Sequence, residues 1–173
     1  MKSLALSVLS NGMPGLTPSQ GAVMAEAGSV CLDSEGHGSP VTVTVDGEFS
    51  ATFQITYLPI TDQMRNGYRF ATRVTDQGAC GIAILVLLDL TDYEVLEEAD
   101  RGTHFDYWLV PRGSFLFQGS ARVEISGLRH ADDAEISTRT RRKIKQIDRS
   151  ASILPGFVVV VEFSRPLVRV VRR

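Results

Sequence analysis

YEVLEEADRGTHFDYWLVPRGSFLFQGSARVEISGL, residues 93–128, is the stretch that decides how the chain is arranged. It reads as three consecutive strands, over 94–99, 105–110 and 121–125. A turn through Asp100, Arg101 and Gly102 joins the first two, and a Gly-bearing loop joins the second to the third. In the third strand Val123 and Ile125 alternate with Arg122, Glu124 and Ser126, so one face is apolar and the other collects polar side chains. Asp106 opens the middle strand, with Phe105 and Tyr107 on the opposite face. Carboxylates on adjacent strands, here Asp106 and Glu124, can lie close enough to share one divalent cation.

Outward from this stretch, residues 76–90 read as a helix whose segment GIAILVLLDL is apolar nearly all round, as expected of a core helix covered by a sheet and by other helices. A buried strand is the alternative reading of so short an apolar run. On the other side come a polar loop at 129–134 and a basic helix at 135–148. FVVVVEF at 157–163 follows, β-branched and apolar on both faces, which suits an interior strand of a mixed sheet. Pro166 ends it, and Val168, Val170 and Val171 form a last short strand. Nearer the N-terminus, Thr17-Pro18-Ser19 starts a small-residue helix with Val23, Ala27, Val30 and Cys31 at helical spacing, and Gly36 stops it. Residues 41–45 and 49–57 alternate on either side of Asp46-Gly47, a hairpin signal. Pro59 ends that hairpin, and Thr61 or Asp62 caps a helix over 63–74 with Met64, Tyr68 and Ala71 on one face.

With 173 residues, 43% of them hydrophobic, the chain has enough material for one globular domain with a core of its own, spanning 1–173. Cys31 and Cys80 are too few and too far apart for a disulfide scaffold or a zinc site, which fits a cytoplasmic protein. The opening MKSLALSVLS lacks a cleavage pattern and reads as part of the fold. No apolar run approaches the ~20 residues of a membrane helix, so no membrane partner is expected. The net charge of −2 hides an asymmetry, because residues 139–173 hold ten Lys/Arg against two acids. A basic tail on an acidic body suits a polyanion or an acidic protein partner. RTRRKIK is equally readable as a solvated helix face.

The order from residue 76 onward is helix, strand, strand, strand, helix, strand. That order, with Asp106 in Phe105-Asp106-Tyr107 and Glu124 in Val123-Glu124-Ile125-Ser126, resembles the core of the PD-(D/E)XK nuclease superfamily, which includes restriction endonucleases and Holliday-junction resolvases. The resemblance implies an α/β (α+β) fold with a central mixed sheet flanked by helices. Its restriction-endonuclease-like αβββαβ core covers about 76–173, and the N-terminal helix and hairpin of residues 1–60 lie outside it. It also implies a Mg²⁺-dependent phosphodiesterase in which Asp106 and Glu124 hold the metal and a lysine two residues after the Glu orients the attacking water. In this chain that position is Ser126, which cannot supply positive charge; Lys143, Lys145 or Arg122 could stand in. The acid often found early in the core helix has no clear counterpart, although Asp76 lies just before Gly78-Ala79-Cys80-Gly81.

Two functions follow. One is a divergent Mg²⁺-dependent nuclease, or a nuclease-derived nucleic-acid-binding subunit, of a bacterial defence or DNA-processing complex, with Arg139, Arg141, Arg142, Lys143 and Lys145 tracking phosphates. The other is a catalytically inactive assembly protein, a subunit of a larger complex, docking an acidic partner on the same basic face. For Asp106 and Glu124 the plainer reading is a strand-end turn residue and an exposed carboxylate paired with Arg122 or Arg101. His37, His104 and His130 share no ligand spacing, the glycines form no GxGxxG fingerprint, Ser126 sits in no G-x-S-x-G elbow, and Trp108 reads as core.

Overall fold

Eight strands form one mixed sheet flanked by helices in a computed structural model that describes residues 1–114, 119–150 and 153–173. The strands are β1 (Lys2–Ala5), β2 (Val41–Gly47), β3 (Ala51–Thr56), β4 (Tyr93–Glu98), β5 (Tyr107–Pro111), β6 (Ala121–Leu128), β7 (Gly156–Glu162) and β8 (Leu167–Arg172). They lie side by side in the order β1-β3-β2-β8-β7-β6-β5-β4. The helices are α1 (Pro18–Ser34), α2 (Asp62–Gly67), α3 (Ala71–Leu90) and α4 (Asp133–Ile147). The expected Gly-bearing loop before β6 falls partly on residues 115–118, outside the described residues.

β7 is the interior strand that FVVVVEF predicts, parallel to β6 and antiparallel to β8, with every residue buried. Its two faces serve different layers. Phe157, Val159 and Val161 join the main core with the apolar residues of α1 and α3, and Val158 and Val160 pack with Ile136 and Ile147 of α4. β8 then runs parallel to β2, so the N-terminal hairpin extends the same sheet rather than standing apart from it. Arg169 of β8 clamps Asp46 of β2 through two hydrogen bonds of 2.8 and 2.5 Å.

Several local expectations are corrected. The expected hairpin forms, β2 antiparallel to β3, but its last pair is Val45↔Ala51, so residues 46–50 connect the strands rather than Asp46-Gly47 alone, and these two residues continue β2 beside β8. Gly47 has φ +96° and an added Cβ would lie 2.1 Å from the Val170 carbonyl oxygen, so this position needs glycine to let the strands meet. Of the expected face of α1, Ala27, Val30 and Cys31 are buried and only Val23 is solvent-exposed; Gly21, Met24 and Gly28 add to the buried side. The break expected near residue 75 falls at 68–70, and α3 starts at Ala71. Phe105 does not face away from the Asp106 side: it packs edge-on against Trp108, centroids 4.7 Å apart, in the small core under α4. At 20 residues α3 is long and apolar enough to cross a membrane, against the expectation that no run is, but 61% of it is buried inside this fold.

α1 and α3 cross with almost nothing between them. A Cβ built on Gly78 would sit 2.9 Å from both the Cα and the N of Gly28, so the contact is backbone to backbone. Gly78→Ala is therefore expected to destabilise the protein by roughly 1–3 kcal/mol, although alanine is the better helix former. Urea unfolding that shows Gly78→Ala as stable as wild type would refute this close packing.

Candidate active site

The site arises where the sheet comes apart. β5 pairs with β6 at Tyr107↔Val123, Trp108↔Arg122 and Leu109↔Ala121, whereas β6 stays beside β7 from Arg122 to Leu128. Among the described residues, β6 has no strand on its β5 side beyond Val123. Asp106 fills the first place in the gap: its Oδ2 accepts a hydrogen bond from the Ile125 N–H at 2.7 Å, and its own N–H donates to the Val123 carbonyl at 2.8 Å. Asp106 stands just before β5, which starts at Tyr107 rather than at 105 as the pattern predicts, and its carboxylate takes the place of a strand partner there.

The alternation along β6 decides what meets it. Val123 and Ile125 point into the main core, which turns Arg122, Glu124 and Ser126 towards α4. That polar face is not solvated. Glu124 is only 1% exposed, so the reading of an exposed carboxylate paired with Arg122 or Arg101 is overturned. α4 is started by Asp132, whose carboxylate accepts from the Glu135 N–H at 2.8 Å while Glu135 accepts from the Asp132 N–H at 2.9 Å. Four residues of helix rise about 6 Å, which nearly matches two residues of strand, about 6.6 Å. Arg139 and Lys143 can thus face Ser126 and Glu124 as two successive pairs. Arg139 donates to the Ser126 Oγ at 2.7 Å, and Lys143 donates to Glu124 Oε1 and more weakly to Gln146 at 3.4 Å.

α3 brings the third component. Asp76 lines a cleft together with Ser126, Arg139, Arg142 and Lys143, and its charge acts on both Asp106 and Arg139. A second opening is lined by Cys80, Glu98, His104, Asp106, Glu124 and Gln146. Sequence reasoning undervalued Asp76 because it placed the helix start at residue 76. Starting at Ala71, α3 carries Asp76 in its second turn, early in the core helix. Gln146 and Glu98 were missed altogether, and no local pattern marks either one.

The other predicted residues lie elsewhere. Arg122 is buried and donates to the Ile147 carbonyl at 3.2 Å, the Leu154 carbonyl at 2.7 Å and the Ser150 hydroxyl, so it ties the end of α4 to the sheet. Its Nε has no partner among the described residues. Arg141 is exposed and donates to Thr138 at 3.2 Å on its own helix, and Lys145 is exposed without a hydrogen bond or ion pair among the described residues. Elsewhere the basic tail is largely answered by acids, Arg165 by Asp133 at 2.9 Å and Arg173 by Asp148 at 3.0 Å.

Burial and mutual repulsion set the electrostatics. Burial, and next the Asp106 charge, push the Glu124 carboxyl up to about 7 against the pull of Lys143. Burial likewise raises Asp106, with Asp76 and Glu98 adding to it, while the Ile125 amide and Lys143 oppose the rise. One ammonium does not balance these carboxylates. Among the described residues no group of three or more His, Cys, Asp or Glu side chains is arranged to hold a metal ion. Two carboxylates suffice for Mg²⁺, which keeps several waters and takes further oxygens from substrate phosphates. No known protein family, curated protein or solved structure matches this chain.

A carboxyl whose folded pKa lies above its unfolded value binds more protons folded than unfolded, so stability falls as pH rises between the two. For Glu124 that window runs from 4.5 to about 7. Glu124→Gln is expected to flatten this part of the stability curve and to exceed wild type at pH 8 by on the order of 1–3 kcal/mol. Chemical denaturation across pH 4.5–8 checks it, and a variant with the same slope as wild type would show that Glu124 does not titrate there.

Proposed function

We propose that the chain is a divergent Mg²⁺-dependent nuclease, or a nucleic-acid-binding subunit derived from one, built on a restriction-endonuclease-like αβββαβ core running from α3 to β7. What carries the reading is the delivery of Lys143 from α4 to Glu124, at the same gap that Asp106 closes and Asp76 borders. A lysine two residues after the Glu is absent, yet a positive charge reaches the same carboxylate from the neighbouring helix. Asp106 and Glu124 would hold Mg²⁺, whose charge would offset the burial and neighbouring carboxylates that raise both carboxyls. Bound there, the ion would supply Lewis-acid polarisation of a phosphate oxygen and an acidified water. Lys143 places positive charge where negative charge develops on the scissile phosphate. Arg139 orients the Ser126 hydroxyl, and Arg142 stands on the rim to meet a neighbouring phosphate.

One observation favours the second reading, a catalytically inactive assembly protein that docks an acidic partner on its basic face: the Lys143 ammonium rests on the carboxylate that the metal needs. Metal binding separates the two. Mg²⁺ or Mn²⁺ is expected to raise the melting temperature of the wild type through binding to the folded state, corresponding to about 2.7 kcal/mol at a hundred times Kd, and Asp106→Ala removes the rise. Equal shifts in wild type and variant, or none in either, would count against the metal site.

A further inference from the structure

We infer that Phe70 is a base-stacking post at the mouth of the cleft, and that the substrate is a nucleic acid with an unpaired stretch; this rests on the nucleic-acid reading above. Phe70 is 65% exposed, among the most exposed large apolar side chains of the described residues. It also occupies the N-cap of α3, where no side chain caps the helix. Folding disfavours the residue twice over, since an N-cap prefers Ser, Thr, Asp or Asn and a large aromatic ring prefers burial.

Its surroundings explain what it could serve. Its chain neighbours line two clefts: Ala71 and Thr72 line one with Asp76, Arg139 and Lys143, Arg69 and Ala71 line the other with Arg65, and Arg129 lines both. Arg69, Arg73 and Arg142 make no hydrogen bond or ion pair among the described residues, unlike Arg165, Arg169 and Arg173 of the tail. An exposed ring with unpaired arginines one and three residues away along the chain, and a third lining the cleft beside Ala71 and Thr72, matches what an unpaired strand offers, a base face for stacking and a phosphate on either side for charge. A regular duplex stacks its bases internally and leaves the ring without a partner, and an acidic protein surface would use the arginines but not the ring.

The test is fluorescence anisotropy of the full chain, without metal and at low salt, with a labelled 12-nucleotide oligothymidine and with a 12-base-pair duplex. Wild type is expected to bind the single strand more tightly than the duplex. Phe70→Ala should weaken single-strand binding roughly 5- to 100-fold with an unchanged salt slope, and Phe70→Trp should restore it. Arg142→Ala should instead flatten the salt slope by about one unit. Single-strand binding that is salt-dependent but indifferent to Phe70→Ala would overturn the stacking role and leave the nucleic-acid reading standing. Phe70-dependent binding to anionic vesicles with no binding to either oligonucleotide would overturn both.

Discussion

Lys143→Ala is expected to lower metal-dependent cleavage roughly 10²- to 10³-fold while the protein stays folded and still binds metal. The Lys143 ammonium is half-buried against a carboxylate that is 1% exposed, so its charge acts in a poorly screened environment. A loss of that size corresponds to about 3–4 kcal/mol of transition-state stabilisation. The fold survives because Glu124, already raised to about 7, takes up a proton instead of persisting as a lone buried anion. Stability should therefore drop most above pH 7. Metal affinity measured calorimetrically at pH 8 should not fall, because the lysine competes with the ion for Glu124. Lys143→Arg keeps the charge and is expected to retain part of the activity. Wild-type cleavage by Lys143→Ala would remove this lysine from the mechanism.

Neutralising Arg139 and Arg142 together is the second large effect. Each phosphate contact contributes about 0.7–0.9 to the slope of log affinity against log salt, so the double Ala variant should flatten that slope by roughly 1.4–1.8 units. Arg142 is exposed on the cleft rim and its loss is purely electrostatic, whereas Arg139 also holds the Ser126 hydroxyl at 2.7 Å. Arg139→Ala should accordingly reduce the cleavage rate beyond its effect on binding, and Arg142→Ala should not. An unchanged slope in the double variant would mean that phosphates do not run along this face of α4.

What the sequence discloses and what it conceals divides along a physical line. Period-two alternation in β6 and the apolar run of β7 are local properties of the chain, and so is the α1 start at Thr17, where the hydroxyl accepts from the Gln20 N–H at 3.2 Å. Alternation tells which residues share a face but not what covers that face. Arg122, Glu124 and Ser126 thus read as a polar surface until α4 is laid across them. The Lys143–Glu124 pair spans 19 positions and depends on the direction in which α4 crosses β6, which no local pattern records. Asp76 was displaced from the site by an error of five residues in the start of α3. β1 is short, and its partner β3 lies about fifty residues away, so its pairing leaves no local trace. Asp106 and Glu124 were legible because hairpin order and alternation alone put two carboxylates on neighbouring strands.

Cleavage of single-stranded DNA and RNA by the purified full chain with Mn²⁺, compared between wild type and Glu124→Ala, tests the assignment of the site most directly. The predicted result is cleavage that requires the metal, even if slow, and that disappears in Glu124→Ala while the variant remains folded by circular dichroism. Robust metal-dependent cutting that survives Glu124→Ala would place the chemistry somewhere other than this cleft.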